Sequence, residues 1–138
     1  MVDPSRVRAK LSLLDAYLTR LRWLAAMDRA AYVEDRAYEG RYLVQATAQV
    51  CIDLANHLIA SEGWQPATEF RQSFARLAEH DVLTDDHVAR LQDLAGLRNR
   101  LVHLYDDVDD ALVHDALGEG LADIERFAAV IASLVAPV

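Results

Sequence analysis

Tyr42-Leu43-Val44-Gln45-Ala46-Thr47-Ala48-Gln49-Val50-Cys51-Ile52-Asp53-Leu54-Ala55-Asn56-His57-Leu58-Ile59-Ala60 is the stretch from which the fold is read. Two stripes run along it at helical spacing: Leu43, Thr47, Val50, Leu54 and Leu58 on one side, and Tyr42, Gln45, Gln49, Ile52, Asn56 and Ile59 on another. A helix that is apolar on more than one side packs against several neighbours at once, so a long central helix is expected over about residues 31–61. Glu62-Gly63-Trp64-Gln65-Pro66 stops it, because glycine accepts a left-handed cap and proline cannot continue a helix. The single cysteine, Cys51, lies inside the apolar run; it reads as a small buried hydrophobe and rules out an internal disulfide.

Working outward, the remaining segments are helical too. Asp3-Pro4 is a helix start, a capping side chain followed by proline in the first turn, and Val7, Leu11, Leu14, Leu18, Leu21 and Ala25 then form one stripe. A short helix is expected over about residues 68–79 with Phe70, Phe74 and Leu77 inward. Thr84 or Asp85 caps a fourth helix carrying Val88, Leu91, Leu94, Leu97 or Arg98, Leu101 and Tyr105. The acids of Asp106-Asp107-Val108-Asp109 suit the start of a fifth helix, over about residues 107–134, with Val108, Leu112, Leu117, Leu121, Ile124, Phe127 or Ala128, Ile131 and Leu134 on its stripe. No segment reads as a strand, and no repeat or linker divides the chain. The expectation is an all-α single domain over residues 1–138, an up-and-down helical bundle of four to five helices.

Composition narrows the function classes. A chain of 138 residues with 53% hydrophobic and 26% charged content is globular and large enough for one core. Apolar runs fall far short of a membrane span, and Met1-Val2-Asp3-Pro4 leads straight into a charged amphipathic segment unlike a secretory signal. A cytoplasmic protein is expected. The formal net charge of −8 opposes long-range attraction of a polyanion. Yet thirteen of the fourteen basic residues are arginine, and Arg90, Arg98 and Arg100 cluster near the end of the fourth helix, where a few phosphate contacts are enough for a local cleft.

That helix ends in Arg98-Asn99-Arg100-Leu101-Val102-His103-Leu104-Tyr105, which gathers a permanent cation, an amide, an imidazole and a phenol. Arginine holds a phosphate in a planar fork, and histidine takes or gives a proton near neutrality. These are the parts needed to cleave a phosphodiester. On one regular helix Arg98 and His103 point roughly 140° apart, so a single copy does not easily bring both onto one phosphate. Two copies about a two-fold axis do, and a homodimer with its site in the seam is expected.

The octet fits R-N-x-x-x-H-x-Y. Together with the preceding Gly96-Leu97, the Asp53-Leu54-Ala55-Asn56-His57 segment and Phe70-Arg71-Gln72-Ser73-Phe74-Ala75-Arg76-Leu77-Ala78-Glu79, it resembles the HepT-like toxins of the HEPN superfamily over essentially the whole chain. The resemblance implies a metal-independent endoribonuclease, dimeric, serving as the toxin of a type VII toxin–antitoxin pair and needing no cofactor. It also implies a cognate antitoxin, a small MNT-type nucleotidyltransferase that transfers AMP from ATP to the motif tyrosine. Carried onto this chain, Arg98 and His103 are catalytic, Tyr105 is the AMP acceptor, and RNA is the substrate.

Asn99 is expected to orient His103, with Arg100 and Asp53 in support. Asp53 with Asn56 forms a polar network that reaches Arg98 if the second and fourth helices adjoin. Plainer alternatives stand beside these roles. His103 suits a helix C-terminal turn, Arg98 has Asp93 and Glu79 within reach as salt-bridge partners, and Tyr105 makes an ordinary core ring. Asp53 with His57, and Asp110 with His114, sit at metal-compatible i, i+4 spacing, but no third and fourth ligand falls at a zinc-like spacing, so no metal site is expected. With no glycine-rich phosphate loop, this chain is not expected to bind ATP itself. A rival reading makes the chain a non-catalytic helical partner of a nucleotidyltransferase, which suits the acidic surface.

Overall fold

In a computed structural model that describes residues 2–135, the chain is wholly helical, with six α-helices and one 3-10 turn among the described residues. Residue 1 and residues 136–138, which the expected domain includes, lie outside the described residues. The helices are α1 (Pro4–Ala25), α2 (Arg29–Asp35), α3 (Ala37–Glu62), α4 (Phe70–Glu79), α5 (Asp85–His103) and α6 (Asp110–Ser133). Four long helices, α1, α3, α5 and α6, make the bundle, and cross-links fix their directions. Lys10 with Asp53 and Arg20 with Glu39 run α1 against α3. Arg22 with Glu125 and His114 with the Leu24 carbonyl run α1 against α6. The buried His87 ring, hydrogen-bonded to the Asp123 carbonyl at 2.9 Å, runs α5 against α6. Alternate helices therefore point in opposite directions, as short loops favour.

Local sequence explains the ends. Asp3 accepts from the backbone N–H groups of Ser5 and Arg6, Thr84 from that of His87, and Asp109 from those of Ala111 and Leu112, each filling donors that a helix start leaves open. Gly63 closes α3 at φ 70°, a left-handed cap that glycine adopts without strain. As expected, α3 is central and packs against every other helix. Its first stripe, Leu43, Thr47, Val50, Leu54 and Leu58, is buried throughout. Cys51 is fully enclosed, and burial pushes its thiol pKa up to about 12, so it carries no thiolate at neutral pH.

Four details differ from the sequence reading. The single helix expected over 31–61 is two, because the chain bends at Arg36 (φ −131°) so that the Tyr32 ring folds back over Gly40. The last helix starts at Asp110 rather than near 107, after a 3-10 turn at Tyr105–Asp107. On α6 it is Val113, not Leu112, that is buried, and Leu112 and Leu134 are exposed. On α3 the second stripe is only partly inward, with Tyr42 and Asn56 exposed. No helix among the described residues is long and apolar enough to cross a membrane.

Candidate functional site

Helix α5 delivers the motif to the end of the bundle formed by the C-termini of α1 and α5 and the N-termini of α3 and α6. Arg98 lies in its last turns, with the guanidinium carbon 4.8 Å from the centre of the Phe70 ring on α4. One terminal nitrogen donates to the Asn99 amide oxygen at 3.3 Å. Its Nε is buried and without a hydrogen-bond partner. Glu79, one of the two acids expected within reach, is taken by Arg76 at 2.9 Å. Among the described residues neither Arg98 nor Arg100 has a carboxylate partner. Arg90, the third cation of the expected cluster, is engaged by Asp86 and Asp123. Arg98 is thus a cation held by an aromatic face and an amide, with donors left over for an anion.

His103 is the last residue of α5 and is exposed, so its imidazole has access to solvent or to a partner surface. Beyond it the backbone leaves helical geometry at Leu104 (φ −125°, ψ 39°), which places Tyr105 in the 3-10 turn rather than on the helix. Tyr105, expected on the stripe of the fourth helix, is therefore off that helix. Arg41 on α3 captures this turn. Its guanidinium makes a two-point pair with Asp110, at 2.7 and 2.8 Å, and donates to the carbonyl of Tyr105 at 3.1 Å and of Val108 at 3.4 Å. The pair is largely enclosed, with side-chain exposures of 11% and 16%, and the bonds to Asp110 hold the guanidinium still more firmly protonated.

The same guanidinium carbon lies 4.4 Å from the centre of the Tyr105 ring and 5.6 Å from that of Tyr38. The Tyr38 and Tyr105 rings are close to parallel, 11° apart in plane, with centres 6.4 Å apart. Tyr105 is not the enclosed core ring of the plainer alternative, because 45% of it is exposed. Sequence reading missed Arg41 and Tyr38. Nothing in their local pattern separates them from solvent-facing helix positions, and their role exists only once α3, α6 and the turn meet.

Asp53 is elsewhere. It pairs with Lys10 of α1 at 3.2 Å and accepts from Gln49 at 2.9 Å, while Asn56 accepts from Ser73 of α4. The expected network joining Asp53, Asn56 and Arg98 does not form: Asp53 faces α1, Arg98 faces α4, and Asp53 lies about 18 Å along α3 from Arg41 at 1.5 Å per residue. Among the described residues no group of three or more His, Cys, Asp or Glu side chains is placed to hold a metal ion.

A family model described as ribonuclease HepT-like matches residues 14–131. The tRNA nuclease HepT of Aphanizomenon flos-aquae is 28% identical over 123 residues, covering 87% of this chain and 83% of that protein. The mRNA nuclease HepT of Shewanella oneidensis is 32% identical over 88 residues, covering 64% of this chain and 66% of that protein. Among solved structures, a tri-AMPylated Shewanella oneidensis HEPN toxin in complex with an MNT antitoxin superposes with a TM-score of 0.84 at 25% identity, covering 96% of this chain and 99% of that one.

Proposed function

The chain belongs to the HepT-like ribonuclease family, and from that premise we propose that it is a metal-independent endoribonuclease toxin acting as a homodimer. The observation that carries this reading is the state of Arg98: a permanent cation without a carboxylate, five residues before an exposed imidazole. A structural arginine so placed would be expected to take an acid. A phosphate-binding one keeps its donors open.

The chemistry is a transesterification. The imidazole of one His103 accepts the proton of an RNA 2'-hydroxyl, whose oxygen attacks the adjacent phosphorus. The new 2'-O–P bond forms as the P–O5' bond breaks, giving a 2',3'-cyclic phosphate and a 5'-hydroxyl. Arg98 neutralises the charge gathering on the non-bridging oxygens, and the partner's His103, protonated, gives its proton to the leaving 5'-oxygen. Asn99 holds the Arg98 fork, and Arg100 adds a second phosphate contact. The dimer brings together groups that one helix turns apart.

Control falls to Tyr105. The phenol belongs to an exposed turn two residues from His103. An MNT-type nucleotidyltransferase that joins its oxygen to the α-phosphorus of ATP, releasing pyrophosphate, sets a bulky anion beside the imidazole and repels a second phosphate by charge and volume. The Shewanella toxin with its three AMP groups and its antitoxin supports this reading.

The test is incubation of the pure chain with total RNA in excess chelator, beside His103→Ala. New fragments with 2',3'-cyclic phosphate ends, lost in the variant, are the expected result. Equal cutting by both proteins removes His103 from the scheme, and no cutting by either leaves the helical-partner reading in its place.

A further inference from the structure

The chain has ten aromatic side chains of the Phe, Tyr and Trp types, and those in the exposed class are Trp23, Tyr38, Tyr42 and Tyr105. All four lie at one end of the bundle. Trp23 is in the last turn of α1, Tyr38 and Tyr42 are in the first turns of α3, and Tyr105 is in the turn after α5. This is the end that carries His103. Of the other rings, Phe74, Phe127 and Tyr32 are wholly buried, and Tyr17, Trp64 and Phe70 are partly buried against the core. Four rings left in water at a single place mark a surface that contacts something.

Its construction says what. Tyr38 is 73% and Tyr42 62% exposed, one helical turn apart on α3, so their rings rise from neighbouring positions on one face. Tyr38 and Tyr105 face each other in near-parallel planes with centres 6.4 Å apart. Arg41, its charge matched by Asp110, fixes the turn and backs both rings without offering a free cation. The cations without a carboxylate partner are Arg98 and Arg100, farther back on α5, while Arg36, 5.6 Å from the Trp23 ring, acts on the Glu39 carboxylate. Exposed aromatic faces at the end of the bundle to which α5 brings the motif arginines are what a single-stranded nucleic acid needs: rings for its bases and guanidinium groups for its phosphates.

We propose that Tyr38 and Tyr42, together with Tyr105, form a stacking platform for unpaired nucleobases of the RNA next to the scissile phosphate. This rests on the ribonuclease reading and adds the substrate class to it: single-stranded or looped RNA, whose bases are free to leave their own stack, rather than duplex. Most of the binding then comes from ring contacts, which the net charge of −8 does not oppose.

The test uses the full chain carrying His103→Ala, so that RNA binds without being cut, and a short single-stranded RNA containing 2-aminopurine. Stacking quenches the base's fluorescence. Quenching on binding is expected, with Tyr38→Ala and Tyr42→Ala each weakening the Kd roughly tenfold, Tyr38→Phe binding like the parent and Tyr38→Leu like the alanine variant. In the cutting-competent background the same alanine changes raise KM more than they lower kcat. Two results overturn the platform: a Tyr38→Ala, Tyr42→Ala double variant that binds and quenches as the parent does, or one that sediments as a monomer where the parent is a dimer, which assigns the rings to a second copy. The two readings fail separately. Wild-type cutting with no tyrosine effect removes the platform alone, whereas quenched binding without cutting by the wild type removes the nuclease and leaves the platform.

Discussion

Gly40→Ala is expected to destabilise the protein although alanine is the better helix former. Gly40 sits in the first turn of α3 directly beneath Tyr32, whose ring is fully buried and 4.7 Å centre to centre from His114. A Cβ at position 40 would meet the Tyr32 hydroxyl oxygen in hard overlap and lie 2.6 Å and 2.9 Å from ring atoms Cζ and Cε2. The ring has no free space to enter, so either it tilts into His114 or the bend at Arg36 opens. Overpacking of this kind costs about 1–3 kcal/mol or more, against a propensity gain of about 1 kcal/mol at most. A net loss of about 1–2 kcal/mol lowers the Tm by roughly 3–7 °C for a chain of this length. Tyr32→Phe separates the causes. It deletes an oxygen that is buried without a partner, so alone it is neutral or slightly stabilising, and combined with Gly40→Ala it recovers part of the loss. Denaturant melts of the four proteins give the coupling. If Gly40→Ala melts at or above the wild-type temperature, Tyr32 is not seated on Gly40, and this account of the α2–α3 bend is wrong.

Two further predictions concern the same end of the bundle. Burial, and then the nearby Asp110 carboxylate, push the Tyr32 phenol from 10.0 up to about 12. Its neutral form is therefore favoured by the fold: the contribution is complete below pH 10, where the unfolded phenol is also neutral, and is lost as pH rises towards 12. Wild type should lose about 2–3 kcal/mol over that interval that Tyr32→Phe keeps, in chemical denaturation at stepped pH; parallel losses in the two proteins would refute it. Arg41→Met strands Asp110 in an enclosed site and releases the Tyr105 turn. It should cost about 3–5 kcal/mol, while Arg41→Met with Asp110→Leu recovers most of the stability but not the turn, as amide hydrogen exchange at residues 104–108 would show.

The bundle was legible because its signals are local and repeated. Asp3, Thr84 and Asp109 cap the helices whose starts they announce, Gly63 ends α3, and the stripe from Leu43 to Leu58 is buried throughout. The bend at Arg36 was hidden because Arg36 is an ordinary helix former. Its cause is a contact between Tyr32 and Gly40, eight positions apart, and the glycine inside the expected helix was the one available clue. Motif chemistry was likewise visible in order but not in shape. Arg98, Asn99 and His103 could be placed on α5, whereas Tyr105 could not be taken off it without knowing that Arg41, more than sixty positions earlier, bonds its carbonyl. Asp53 misled because Lys10 was an equally eligible partner and lay on the other neighbour.

Because Tyr105 rides a three-residue turn hung between two finished helices, its ring lies outside the buried core of the bundle, with the enclosed Arg41 guanidinium packed against it. If the proposed AMP transfer takes place there, a silenced molecule and an armed one would unfold at nearly the same temperature and be equally invisible to the cell's disposal machinery. Under that proposal the chain would be held in reserve as a mature protein, switched by bonds at its surface.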